Sequence, residues 1–161
     1  MELTGAQRIE APREVVWQAL NDPDILRRCI PGCQELVQAS STAFTARVVL
    51  KIGPVKASFS GAVTLSDLDP PGRYRITGEG QGGVAGFAKG GADVWLEPEP
   101  DGATLLTYAA QAMVGGKIAQ LGARLIDSTS RKLAGEFFSA FAQIVAPPLV
   151  PSPALPSEAA P

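Results

Sequence analysis

Two periods divide this chain. From residue 34 to about 114 the apolar positions recur every second residue, and over 12–20 and 115–146 they recur at helical spacing. In "STAFTARVVLKIG" (41–53), Phe44, Ala46, Val48, Leu50 and Ile52 share one side of a predicted strand. In "PVKASFSGAVTLSDL" (54–68), Val55, Ala57, Phe59, Gly61, Val63 and Leu65 alternate with Lys56, Ser58, Ser60 and Thr64. Gly53-Pro54 makes the turn between these two strands, and Pro70-Pro71-Gly72 makes the next. "RYRITGEGQGG" (73–83), "AGFAKGGADVWLEP" (85–98) and "ATLLTYAAQAMV" (103–114) complete a meander, with "PEPDG" as its last hairpin loop. Consecutive strands joined by short turns pair antiparallel.

The ends read differently. "ELTGAQRIE" (2–10) is a strand that Ala11-Pro12 breaks. "PREVVWQAL" (12–20) opens a helix on proline, whose missing N–H costs nothing there, and gathers Val15, Val16, Ala19 and Leu20 on one face. Asn21-Asp22-Pro23 stops it, and Asp22 caps a second short helix that ends near Cys29. Over 115–146, Ile118, Leu121, Leu125, Thr129, Leu133, Phe137, Phe141 and Ile144 form one stripe, so a single long helix is predicted. Gly122 and Gly135 fall inside it and predict a kink or a close backbone contact. "PPLVPSPALPSEAAP" (147–161) has no hydrophobic period and reads as a disordered tail after a domain of 1–146. The predicted class is α+β: a curved antiparallel sheet of about seven strands wrapped around a long C-terminal helix, with two short helices after strand 1.

Composition narrows the chemistry. The formal net charge of −2 gives no electrostatic argument for nucleic acid. The chain has no histidine, which excludes Ser-His-Asp and Cys-His catalysis and every zinc site that needs imidazole. No metal site and no catalytic residue is assigned. The N-terminal stretch has no apolar run behind a basic start, and no segment reaches the roughly 18 apolar residues of a spanning helix. Cytoplasm is the expected compartment, where thiols stay reduced.

Several stretches are candidates for function. "GEGQGGVAGFAKGG" (78–91) fits a loose dinucleotide fingerprint, but it lies between strands and opens no helix, so a bend in the sheet or a pocket mouth is the better reading. Phe59, Phe87, Trp95, Leu121, Leu125 and Phe137 are candidate pocket residues between sheet and helix, with Gly61 and Gly80 leaving space among them. Ala57, Gly78 and Ala92 add to that space. Small residues facing a long helix underfill the interior, and interiors pack without large voids, so an apolar ligand is expected there. Lys117, Arg124 and Arg131 recur every seven residues and, with Lys132, make a basic stripe for anionic lipid or an acidic partner. Glu79, Asp93, Glu136, Tyr74 and Tyr108 are left for acid–base work, and no spacing singles out a pair.

"CIPGC" (29–33) holds both cysteines. Two thiols cannot fill four zinc positions without histidine, and the redox motif needs two intervening residues where this has three. A disulfide is geometrically open but the compartment is reducing. Pro31 and Gly32 fit the centre of a type II turn, so the stretch is expected to end the second helix and turn into the next strand. Cys29, Ile30 and Pro31 are then candidates for a pocket entrance.

The strings "IEAPREVVWQALNDPDILRRCIPGCQEL" (9–36), "GEGQGGVAGFAKGGADVWL" (78–96), "YAAQAMVGGKIAQLGARLI" (108–126) and "FFSAF" (137–141) resemble the carbon monoxide dehydrogenase G-subunit family of the START-like, or helix-grip, superfamily. The resemblance implies a non-catalytic cytoplasmic protein, peripheral on the inner face of the membrane. It implies a partner in the subunits of a molybdenum hydroxylase of the carbon monoxide dehydrogenase type, and a hydrophobic small molecule, menaquinone or ubiquinone, held without a covalent bond. Related helix-grip proteins include cyclases, so a cyclase or hydrolase acting on an apolar molecule, and a ligand-free assembly factor, stand as alternatives.

Overall fold

The computed structural model describes residues 1–145. The tail predicted over 147–161 lies outside the described residues. The element order is β1 (Glu2–Ile9), α1 (Arg13–Leu20), α2 (Pro23–Cys29), β2 (Cys33–Ser40), β3 (Ala43–Ile52), β4 (Val55–Asp69), β5 (Arg73–Gln81), β6 (Phe87–Pro98), β7 (Thr104–Gly115) and α3 (Ala123–Val145). The seven strands form one antiparallel sheet in the order β1-β7-β6-β5-β4-β3-β2. This is the α+β helix-grip arrangement expected from the sequence, with α3 against one face of the sheet. The strands β2 to β7 follow one another as hairpins. β1 joins the far edge instead, pairing with β7 from Glu2 opposite Gln111 to Ile9 opposite Thr104.

Local chemistry sets the short helices. Pro12 precedes α1, and its carbonyl accepts the first helical bond from Val16 at 3.0 Å. Asp22 caps α2: its carboxylate accepts from the backbone N–H of Asp24 at 2.9 Å and of Ile25 at 3.4 Å. Val16, Ala19 and Leu20 are buried, but Val15 is exposed, because it lies about 100° around the helix from Val16, on the side away from the core.

The helix predicted over 115–146 is divided. β7 continues to Gly115, Lys117–Leu121 forms a 3₁₀ turn, and α3 begins at Ala123. Gly116 at φ 79° and Gly122 at φ 95° bracket the turn in the left-handed region that glycine enters without steric cost. α3 spans 23 residues, about 35 Å. Gly135 stays within it, and a side chain there would meet open space, so no close backbone contact explains it.

Two buried clusters sit under α3. One joins Ile9, Val16, Leu20, Phe44, Leu96, Leu106 and Phe141, where the short helices cover the sheet. The other joins Ile52, Phe59, Ala85, Ile118 and Ile126, around the 3₁₀ turn. The space between them is not filled.

Candidate ligand cavity

The parity of each strand decides which residues face α3. In β4 the odd positions do, so Phe59, Gly61 and Val63 look inward. In β5 and β6 the even positions do: Tyr74, Ile76, Gly78 and Gly80, then Ala88, Gly90, Ala92 and Val94. Glycine and alanine thus occupy the middle of the inner face, and two adjoining chambers open above them.

The outer chamber holds about 580 Å³ and lies between Val48, Leu50, Ile52 and Phe59 of the sheet and Ile126, Thr129 and Leu133 of α3. The inner chamber holds about 300 Å³ and is enclosed by Phe44, Leu65, Tyr74, Tyr108, Phe137 and Phe138 with the ends of α1 and α2. Ile30, Leu36, Val63, Ile76 and Ala92 are walls of both. Among the described residues the inner chamber has no charged group in its lining. The outer one is bordered by Glu79 and Lys89, with Gln111, Thr129 and Ser130 as its other polar side chains. The Ser130 hydroxyl donates to the Ile126 carbonyl at 2.8 Å, so it is engaged with the helix.

The aromatic groups of the inner chamber are mutually packed. Phe138 stacks on Tyr108 at 5.5 Å and meets Phe137 edge-on at 5.1 Å, and Phe137 stacks on Phe141 at 5.7 Å. Tyr74 receives Trp17 of α1 in an edge-on contact at 5.2 Å. Burial pushes the Tyr74 phenol well above its ordinary range.

The pocket residues expected from the sequence divide between these chambers and other places. Phe59, Gly61 and Gly80 line the outer chamber, and Phe137 lines the inner one. Leu125 lies instead against Gly53 of the β3–β4 turn, and Leu121 packs at the 3₁₀ turn beside the second buried cluster. Phe87 and Trp95 are on the opposite face of the sheet. Phe87 covers Gly115 there, and the Arg73 guanidinium lies 5.8 Å from the centre of the Trp95 ring. The reason is parity: Trp95 and Ala92 are three apart in one strand and cannot share a face. That constraint is present in the sequence, and applied to "ADVWL" it places Trp95 outside. Tyr74, Ile76 and Val63 are lining residues found by the same rule once Gly78 and Gly61 are taken as inward.

At the corner, Ile30 borders both chambers and Pro31 borders the outer one. Cys29 is instead 3 % exposed within the first cluster, and burial raises its thiol pKa, with the Arg28 charge opposing the shift. Cys29 and Cys33 are free thiols. Ile30 to Cys33 forms the turn, closed by the Cys33 N–H donating to the Ile30 carbonyl at 3.1 Å, with Gly32 at φ 74°. A groove lined by Pro31, Leu50, Lys51, Lys132, Leu133 and Glu136 abuts the outer chamber beside this corner.

The basic residues are exposed, but they do not form one stripe. Lys117 is on the 3₁₀ turn, off the helix that carries Arg124, Arg131 and Lys132, and Arg131 pairs with Asp127 at 3.0 Å. The acid–base candidates are scattered too. Asp93 is on the outer face between Arg73 at 3.2 Å and Arg75 at 3.0 Å, while Glu136 is exposed at the groove. Glu79 borders the outer chamber, and the Tyr108 hydroxyl lies over Gly5 of β1.

Comparison with known proteins agrees with this architecture. A protein of Geobacillus kaustophilus is 32% identical, with a TM-score of 0.85 over 91% of this chain and 95% of its own. A protein of Chromobacterium violaceum is 17% identical, with a TM-score of 0.68 over 91% of this chain and 98% of its own. The Zhui aromatase/cyclase of Streptomyces sp. R1128 is 10% identical, with a TM-score of 0.67 over 90% of this chain and 93% of its own, a likeness of fold. None of the curated proteins compared matches the sequence. The model of the CoxG family, the G subunit of carbon monoxide dehydrogenase, matches residues 5–146, and the chain belongs to that family.

Proposed function

We propose that this member of the CoxG family carries a neutral, elongated, apolar molecule in its two chambers, a quinone of the menaquinone or ubiquinone type. In this reading it serves a molybdenum hydroxylase of the carbon monoxide dehydrogenase type as a non-catalytic accessory protein. The observation that carries the reading is the pair of adjoining chambers, walled chiefly by apolar side chains and left between two packed clusters. Interiors close voids of this size unless something occupies them, and a chamber without a charged group favours an uncharged occupant. A ring with a chain suits two joined spaces better than a compact molecule does.

Contact with the inner face of the cytoplasmic membrane completes the proposal. Val84 stands 93% exposed on the turn between β5 and β6. That turn neighbours the 3₁₀ turn of Lys117. Exposed Lys51 and Lys56 face each other across the β3–β4 hairpin, and Leu125 packs against the tip of that hairpin from α3, next to Arg124. An apolar tip among cations is the pattern of a surface that meets anionic lipid.

The test is direct. Protein purified from a quinone-producing host is extracted with organic solvent and the extract analysed by mass spectrometry. A stoichiometric quinone is the expected result. Protein that comes out empty and takes up no added quinone would remove the reading.

A further inference from the structure

One polar group in the inner chamber has no hydrogen-bond partner among the described residues. Tyr74 is 3% exposed, faces α3 from β5 and lines the inner chamber. Its neighbours on β5 are engaged on the other face, where Arg73 and Arg75 hold Asp93. The Tyr74 hydroxyl makes no hydrogen bond to any described residue, and desolvation alone accounts for the rise in its pKa. A buried donor left unpaired is costly, and buried tyrosines ordinarily find an acceptor. The other phenol of the chamber does not substitute for it, because the Tyr108 hydroxyl lies over Gly5 at the sheet edge.

The surroundings limit what the acceptor is. Among the described residues no cation lines the inner chamber, so an ionised carboxylate or phosphate would be desolvated there without compensation. Phe44, Phe137, Phe138 and Tyr108 present ring surfaces suited to a flat conjugated system. The outer chamber abuts the groove at the surface and is walled chiefly by aliphatic side chains.

We propose that the Tyr74 hydroxyl donates a hydrogen bond to a neutral carbonyl oxygen of the bound molecule. The ligand therefore sits ring inward, in the inner chamber, with its apolar chain in the outer chamber toward the surface. This assignment rests on the cavity reading above and adds to it a ligand class, a conjugated ketone or quinone, and an orientation.

The experiment compares two probes on ligand-free full-length protein by calorimetry. Menadione carries ring carbonyls, and 2-methylnaphthalene has nearly the same shape without them. Tyr74→Phe is expected to weaken menadione binding about tenfold, the cost of one hydrogen bond to a buried partner, and to leave 2-methylnaphthalene unchanged. Equal menadione affinity in the two proteins, or an equal loss for both probes, would overturn the assignment. If wild-type protein binds neither probe, the cavity reading falls, and the orientation with it. A second measurement needs no variant: the infrared carbonyl stretch of ¹³C-labelled menadione bound to wild-type protein is expected to shift to lower frequency relative to an apolar solvent. An unshifted band would overturn the hydrogen bond while leaving the cavity reading intact.

Discussion

The Gly32 carbonyl accepts the Val49 N–H at 2.9 Å, and a Cβ built on Gly32 would stand 2.0 Å from the Val49 carbonyl oxygen. This contact ties the "CIPGC" corner to β3 and holds Ile30 and Pro31 at the chamber walls. Gly32→Ala forces both a left-handed alanine and a backbone collision. Strain of that kind costs about 1–3 kcal/mol before the collision is counted. The thermal midpoint measured by circular dichroism is expected to fall by roughly 4–10 °C.

Cys29 and Cys33 differ in access. Cys29 is buried with a raised thiol pKa, and Cys33 is partly exposed with its thiol 3.4 Å from the Glu35 carbonyl oxygen. Native protein treated with iodoacetamide is expected to be modified at Cys33 and spared at Cys29 until it is unfolded. Peptide mass spectrometry reads the two sites separately. Early labelling of Cys29 would place it at the chamber mouth after all.

Ala92 is a wall of both chambers and lies opposite Ile76 in the sheet. Ala92→Phe puts a ring into unfilled space between the chambers, so the fold is expected to survive. Copurifying quinone is expected to fall to background while the thermal midpoint stays near the wild-type value. Undiminished quinone in a folded variant would show that the ligand does not cross this boundary.

Burial of Tyr74 predicts a pH dependence. The phenol titrates at about 10 in an unfolded chain, and the folded protein holds its proton more tightly. The stability associated with this difference is fully present below pH about 10 and is lost as pH rises from there through the folded value. Denaturant unfolding at pH 8 and pH 11 is expected to show a smaller alkaline loss in Tyr74→Phe than in wild type. Equal losses would mean that other groups govern the alkaline limb.

Arg124 and Lys132 are exposed on α3. Each basic group near an anionic surface contributes about 1 kcal/mol, so the double charge reversal Arg124→Glu, Lys132→Glu is expected to lower binding to phosphatidylglycerol vesicles by more than about tenfold. Cosedimentation at low salt measures it. Unchanged binding would move the membrane contact to another face.

Much of this molecule is legible in its residues. Period two marks β3 to β7, Gly53-Pro54 marks their first hairpin, and Pro12 and Asp22 mark the helix starts. Alternation along β4 places Phe59, Gly61 and Val63 on the face toward α3. These are local properties, decided by the side-chain period of a strand and by hydrogen bonds within a few residues. Phe87 and Trp95 go to the wrong face when hydrophobicity alone assigns them, because parity from Ala88 and from Ala92 turns both rings outward.

Tertiary structure decided the remainder. No pattern in "ELTGAQRI" says that β1 pairs with β7 across the whole length of the chain between them. The stripe from Ile118 to Ile144 reads as one helix, yet Gly116 and Gly122 break it, because the chain must leave β7 and turn back over the sheet. Leu125 meets Gly53 only because that turn sets where α3 begins. Cys29 and Ile30 are adjacent, but one packs into the first cluster and the other faces the chambers. The unpartnered Tyr74 hydroxyl shows the same division. Its inward direction follows from strand parity. Its isolation depends on distant residues: Trp17 of α1, Phe137 and Phe138 of α3, and a volume that none of them fills.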